Sequence, residues 1–143
     1  MSTSAGKHDL NASEKESLIA KAREAMKNAY APYSNFHVGA ALVTSDGKFF
    51  MGCNVENASY GLTICAERTA ICSAVAANAS GKKLGIRAIA VVNSANQACS
   101  PCGACRQFIA EFGGDIVVIY QDANGMKEMT SGGLLPDGFV LES

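Results

Sequence analysis

The chain has 143 residues, of which 48% are hydrophobic and 17% charged, and a formal net charge of -1. That length suits one domain spanning 1–143, and that balance excludes a disordered chain. There is no lysine or arginine run to neutralise phosphates, so nucleic acid is a poor partner candidate and a small-molecule ligand is expected.

The first dozen residues are polar and are expected to be flexible. Ser13 and Glu16 have the spacing of a capping box, so a first helix is expected to begin there. Leu18, Ile19, Ala22, Ala25, Met26 and Ala29 recur at helical spacing, and Pro32 prevents continuation. His37 to Thr44 and Lys48 to Cys53 read as two strands joined at the tight-turn pair Asp46-Gly47. A polar loop follows from Asn54 to Thr63. Cys65 to Ala79 reads as an alanine-rich helix closed by Gly81. Ile86 to Val92 is continuously apolar, as in a strand buried on both faces. Pro101 suits the first turn of another helix, which runs to about Phe112 and stops at Gly113-Gly114. Ile116 to Tyr120 reads as a buried strand. A short strand at Lys127 to Thr130 returns after the Asn124-Gly125 turn, and Leu134 to Ser143 forms a tail. Crossover helices between strands imply an α/β fold, with three α-β-α layers around a five-stranded mixed sheet.

Cysteines stand at 53, 65, 72, 99, 102 and 105. The N-terminal residues hold no apolar stretch for a signal peptide, and no apolar run reaches membrane-spanning length. A reducing cytoplasm and no membrane partner are therefore expected. There, clustered cysteines point to metal or catalysis. Two segments carry that chemistry: Cys65-Ala66-Glu67-Arg68 and Pro101-Cys102-Gly103-Ala104-Cys105-Arg106. Cys102 and Cys105, three apart on a helical turn, share a face, and Cys65 opens another helix. Should the two helix starts meet, three thiolates bind one zinc and leave its fourth position to water. Zinc brings the pKa of such water to roughly 7. Glu67 is placed to move that water's proton without binding metal. Arg68 and Arg106 are candidate cations to offset the thiolate charge. Alternatives remain open on the residues alone. Cys102 and Cys105 also have redox-pair spacing. Cys99 is either a fourth ligand of a structural zinc or a small core residue. Cys53 and Cys72 read as buried hydrophobes.

The zinc deaminase signature is a ligand-x-Glu segment followed by Pro-Cys-x-x-Cys, and both parts are present in an all-cysteine form. From about Leu18 to Phe139 the chain resembles the small homotetrameric cytidine deaminases. The likeness includes Tyr30 to Phe36, Val38 to Leu42, Gly52 to Tyr60 and Leu134-Leu135-Pro136. The resemblance implies a cytidine deaminase-like fold and zinc held by Cys65, Cys102 and Cys105, with Glu67 as proton shuttle. It implies that Arg68 hydrogen-bonds the ligand thiolates. Phe36 would pack on the pyrimidine, Asn54 and Glu56 would hold the ribose 3′-hydroxyl, and Ala66 would line the substrate site. Tyr60 and Phe139 would reach a neighbouring subunit's site in a homotetramer. The implied reaction is hydrolysis of cytidine and deoxycytidine to the uridines, in pyrimidine salvage. Blasticidin-type deaminases look similar around the metal, so an aminonucleoside antibiotic, a nucleotide or a polynucleotide stands as the alternative substrate.

Overall fold

The computed structural model describes residues 10–141. Helix α1 spans Ala12–Met26 and is followed by strands β1 (Val38–Thr44) and β2 (Phe49–Cys53). A 3-10 turn at Tyr60–Leu62 precedes helix α2 (Ala66–Ala77) and strand β3 (Ile86–Asn93). Helix α3 (Gly103–Ala110), strands β4 (Val117–Asp122) and β5 (Gly125–Thr130), and the short helix α4 (Ser131–Leu134) complete the order. The strands form one mixed sheet, ordered β2-β1-β3-β4-β5. β3 and β4 are parallel neighbours, and the other adjacent pairs are antiparallel. The α2 crossover carries the chain past β1, so β2 and β3 run the same way with β1 between them.

Strand alternation divides the core in two, because successive side chains point to opposite faces. On one face Ala41, Val43, Ala88, Ala90, Val92 and Ile119 pack against Leu18 and Ala22 of α1. On the other, Ala40, Leu42, Ile89, Val91 and Val118 pack against Ala70, Ile71 and Ala74 of α2 and Ile109 of α3. The expected α-β-α layering is therefore present.

Several boundaries differ from those expected. The capping box is Asn11 with Glu14, not Ser13 with Glu16: Asn11 Oδ1 accepts from Glu14 N at 2.8 Å, and Glu14 Oε1 accepts from Asn11 N at 3.0 Å. Residues 10–12 of the expected flexible stretch are thus ordered, with Leu10 buried. Residues 1–9 lie outside those described. α2 ends before Gly81, because Asn78 takes over the turn: its Nδ2 donates to Lys82 O at 2.8 Å, and its Oδ1 accepts from Ser80. Pro101 stands one residue ahead of the α3 cap, a role that Cys102 fills. The start of the expected tail belongs to α4, which Thr130 caps through Gly133 N. Cys72 is exposed and Cys53 half-buried, against the expectation of two core thiols. Cys72 lies off the face that α2 buries through Ala70, Ile71 and Ala74, while Cys53 ends an edge strand.

Two glycines let helix backbones touch the hairpin from opposite sides. A Cβ on Gly39 would stand 2.0 Å from Ala22 O and 2.5 Å from Met26 N of α1. Both obstacles are backbone, so only a shift of the whole helix relieves them. Gly39→Ala is expected to cost about 3 kcal/mol or more and to lower Tm by roughly 10 °C. Gly61→Ala, which meets nothing within 4 Å, should leave the melting curve in place. A Gly39→Ala chain that melts like its parent would show that α1 does not press on β1.

Candidate metal centre and active site

Gly52 does for α2 what Gly39 does for α1. A Cβ there would lie 2.3 Å from Ala70 N and 2.7 Å from Ala66 O. Its absence seats the first turns of α2 on β2 and so fixes Cys65 and Glu67. Cys65 is the N-cap of α2, and Cys102 is the N-cap of α3. The partial positive charge of a helix start favours thiolate over thiol. Cys102 Sγ also accepts the Cys105 N–H at 3.4 Å, so a sulfur caps its own helix.

The Sγ atoms of Cys65, Cys102 and Cys105 all lie within 4.8 Å of one another, and those of Cys65 and Cys102 are 3.9 Å apart. Sulfurs at tetrahedral corners about 2.3 Å from zinc stand about 3.8 Å apart. The donor set therefore fits zinc with one position open. Arg68 Nη2 donates to Cys65 Sγ at 3.3 Å, while Arg68 Nε is buried without a hydrogen-bond partner. Such a leftover donor suits a site whose sulfurs become fully anionic on metal. The hydrogen bond from Cys105, reinforced by Arg68, draws the Cys65 thiol down to about 5. The same bond, together with burial, drives Cys105 upward. Cysteines bind metal as thiolates, so zinc uptake here would release protons. Cys99 stands outside this group. It is half-buried, and its thiol is raised by burial. All six cysteines are free thiols.

Glu67, in the first turn of α2, is 4% exposed. Burial, aided by the negative Cys65, pushes its carboxyl up to about 7. It faces a cavity of about 210 Å³ lined also by Phe36, Asn54, Cys65, Ala66 and Cys102, with Thr63, Cys99 and Ser100 on its wall. Thr63 joins this cavity to an outer one of about 400 Å³, which Glu56, Tyr33, Ser34 and Tyr60 line. Asn54 is buried, and its amide braces the neighbouring backbone: Oδ1 accepts from Val38 N and Nδ2 donates to Phe36 O, both at 2.9 Å. Arg106 does not reach the sulfurs. It donates to Pro101 O at 2.8 Å, to Leu134 O at 3.0 Å and to Ser100 Oγ at 3.0 Å. It is a brace for the loop that carries Cys102, a role for which the sequence holds no local signal. Phe139 lines neither cavity. It is 71% exposed, with its backbone clamped by Gln107.

Residues 12–121 match the model of the cytidine and deoxycytidylate deaminase zinc-binding region. With its cysteine cluster, the chain is a zinc-dependent hydrolytic deaminase. It is 46% identical over 129 residues to the cytidine deaminase of Sporosarcina psychrophila, covering 89% of this chain and 92% of that one. The cytidine deaminase of Halalkalibacterium halodurans is 45% identical over 131 residues, covering 90% and 96%. The crystal structure of cytidine deaminase from Burkholderia pseudomallei superposes with a TM-score of 0.79 at 52% identity, covering 87% of this chain and 98% of that one. The chain belongs to the cytidine deaminase family. Among the described residues no helix is long and apolar enough to cross a membrane.

Proposed function

We propose that the chain, acting as a single domain, hydrolyses cytidine and deoxycytidine to uridine and deoxyuridine with release of ammonia. The observation that carries this reading is Glu67, buried at a small cavity beside three convergent cysteines. Cys65, Cys102 and Cys105 would hold zinc, which supplies a Lewis acid that makes water acidic enough to attack near neutral pH. Glu67 takes the proton of the attacking water and places it on ring N3. It then takes the remaining proton from the hydroxyl added at C4 and delivers it to the exocyclic amine, so that the C4–N bond breaks, C4=O forms and ammonia leaves. A carboxyl near 7 can accept and return a proton at working pH. Burial also keeps bulk water away from that exchange.

Phe36 packs on the base, Ala66 lines its pocket, and Asn54 and Glu56 take the ribose 3′-hydroxyl. A carboxylate suits a hydroxyl donor and repels a phosphate. Glu56 therefore favours the free nucleoside over its monophosphate. The enzyme assembles as a homotetramer with shared sites, in the cytoplasm, and serves pyrimidine salvage. Large apolar groups left in the open support that assembly: Tyr60 is 78% and Phe139 71% exposed. The direct test is ammonia release by purified protein from cytidine, cytidine monophosphate and blasticidin S, with and without a chelator. Cytidine should turn over fastest, and chelation should stop it. Preference for the monophosphate or for blasticidin S would replace the nucleoside assignment.

A further inference from the structure

One hydroxyl joins the carboxylate of the outer cavity to the backbone of Phe36, a residue that lines the inner one. Glu56 Oε1 accepts the backbone N–H groups of Tyr33 at 2.9 Å and Ser34 at 3.1 Å. Glu56 Oε2 accepts the Ser34 hydroxyl. The same Ser34 oxygen accepts Phe36 N–H at 3.0 Å. Its direction is therefore fixed: Phe36 donates to the hydroxyl, and the single hydroxyl proton goes to Glu56. From the other side, Asn54 Nδ2 donates to the Phe36 backbone carbonyl. Between Ser34 and Phe36 the chain turns at Asn35, with φ 58°, a left-handed conformation that asparagine tolerates.

A carboxylate offers about four acceptor sites. Three donors from the Tyr33–Ser34 segment orient Glu56 and leave capacity for one ligand hydroxyl. The Ser34 bond also leads the effects that hold Glu56 below its ordinary range, so the group stays an acceptor. We infer that Ser34 is a positioning residue for sugar recognition. Its hydroxyl aims Glu56 at the nucleoside 3′-hydroxyl and locks that aim to the Phe36 wall of the base cavity. This rests on the proposed reading of Glu56.

The experiment compares kcat/KM for cytidine and 3′-deoxycytidine in the wild type and in Ser34→Ala, Ser34→Thr and Glu56→Gln. Ser34→Ala should shrink the preference for cytidine by roughly tenfold, because a misaimed acceptor no longer penalises the missing hydroxyl. Any loss through Phe36 affects both substrates alike and cancels in the ratio. Ser34→Thr keeps the hydroxyl and should restore the preference. A collapsed preference in Glu56→Gln with an unchanged one in Ser34→Ala would overturn the role of Ser34 alone. An unchanged preference in Glu56→Gln would overturn the reading of Glu56, and the inference with it.

Discussion

Glu67→Gln is expected to bind one zinc per chain and to lose cytidine turnover by roughly 10²–10⁴-fold, the span that general acid–base catalysis supplies. The substitution keeps size and shape in a fully enclosed position, so packing does not change. What disappears is a group that gains and releases a proton. Zinc content by metal analysis and ammonia release by coupled assay read the two effects separately. Turnover within tenfold of the wild type would remove Glu67 from the chemistry. The metal-free protein offers an independent readout. Burial raises the Glu67 carboxyl from 4.5 to about 7, so ionising it costs the folded state more than the unfolded one. That contribution to stability is fully present below about 4.5 and is lost as pH rises through about 7. By pH 8 the ionised group is on the order of 3 kcal/mol unfavourable. Metal-free Glu67→Gln should accordingly melt higher than metal-free wild type at pH 8, and the gap should narrow by pH 5. Equal melting at pH 8 would show that the carboxyl titrates as an exposed one does.

Cys105→Ser is expected to abolish zinc binding and activity together. Cys105 is fully buried, whereas Cys102 is exposed and Cys65 half-buried. A serine hydroxyl there is a poor zinc ligand with no room to move aside. Changes one step removed from a metal cost roughly 10–100-fold in affinity, and loss of a direct ligand should exceed that. Cys72→Ser is the matched control, because Cys72 is an exposed thiol on the outer side of α2. It should retain full zinc and full turnover. Zinc titration against a colorimetric chelator, with circular dichroism to verify folding, checks both variants. Tight zinc in a folded Cys105→Ser protein would mean that another residue completes the set.

The sequence reveals most of this arrangement because its strongest signals are local. Asp46-Gly47 marks the hairpin, and the apolar run from Ile86 to Val92 marks a central strand. Cys65 and Cys102 each stand at a helix start, so the meeting of two helix ends brings the sulfurs together. Other features depend on distant partners. Asn54 braces Phe36 and Val38, which lie 18 and 16 residues away, and Arg106 reaches Leu134 across 28. Nothing in the spacing of either residue predicts such contacts. The start of α1 is ambiguous for another reason: Asn11/Glu14 and Ser13/Glu16 carry the same capping pattern. The glycines at 132 and 133 hide α4, since glycine is a weak helix former. Cys72 is exposed because α2 buries Ala70, Ile71 and Ala74, and an alanine-rich helix does not show in its sequence which side will be covered.

The sulfur of Cys102 closes the first turn of α3 and belongs to the trio of thiols that could hold a metal ion. A hydrogen-bond acceptor that also grips a cation ties helix integrity to cofactor occupancy. An ion held there would tighten the start of α3, and Arg106 ties that start to the end of α4 through Pro101 and Leu134. Cofactor retention is therefore expected to depend on the packing of α4 against the loop that carries Cys102. A lesion anywhere along that brace should first be felt as metal leakage rather than as global unfolding.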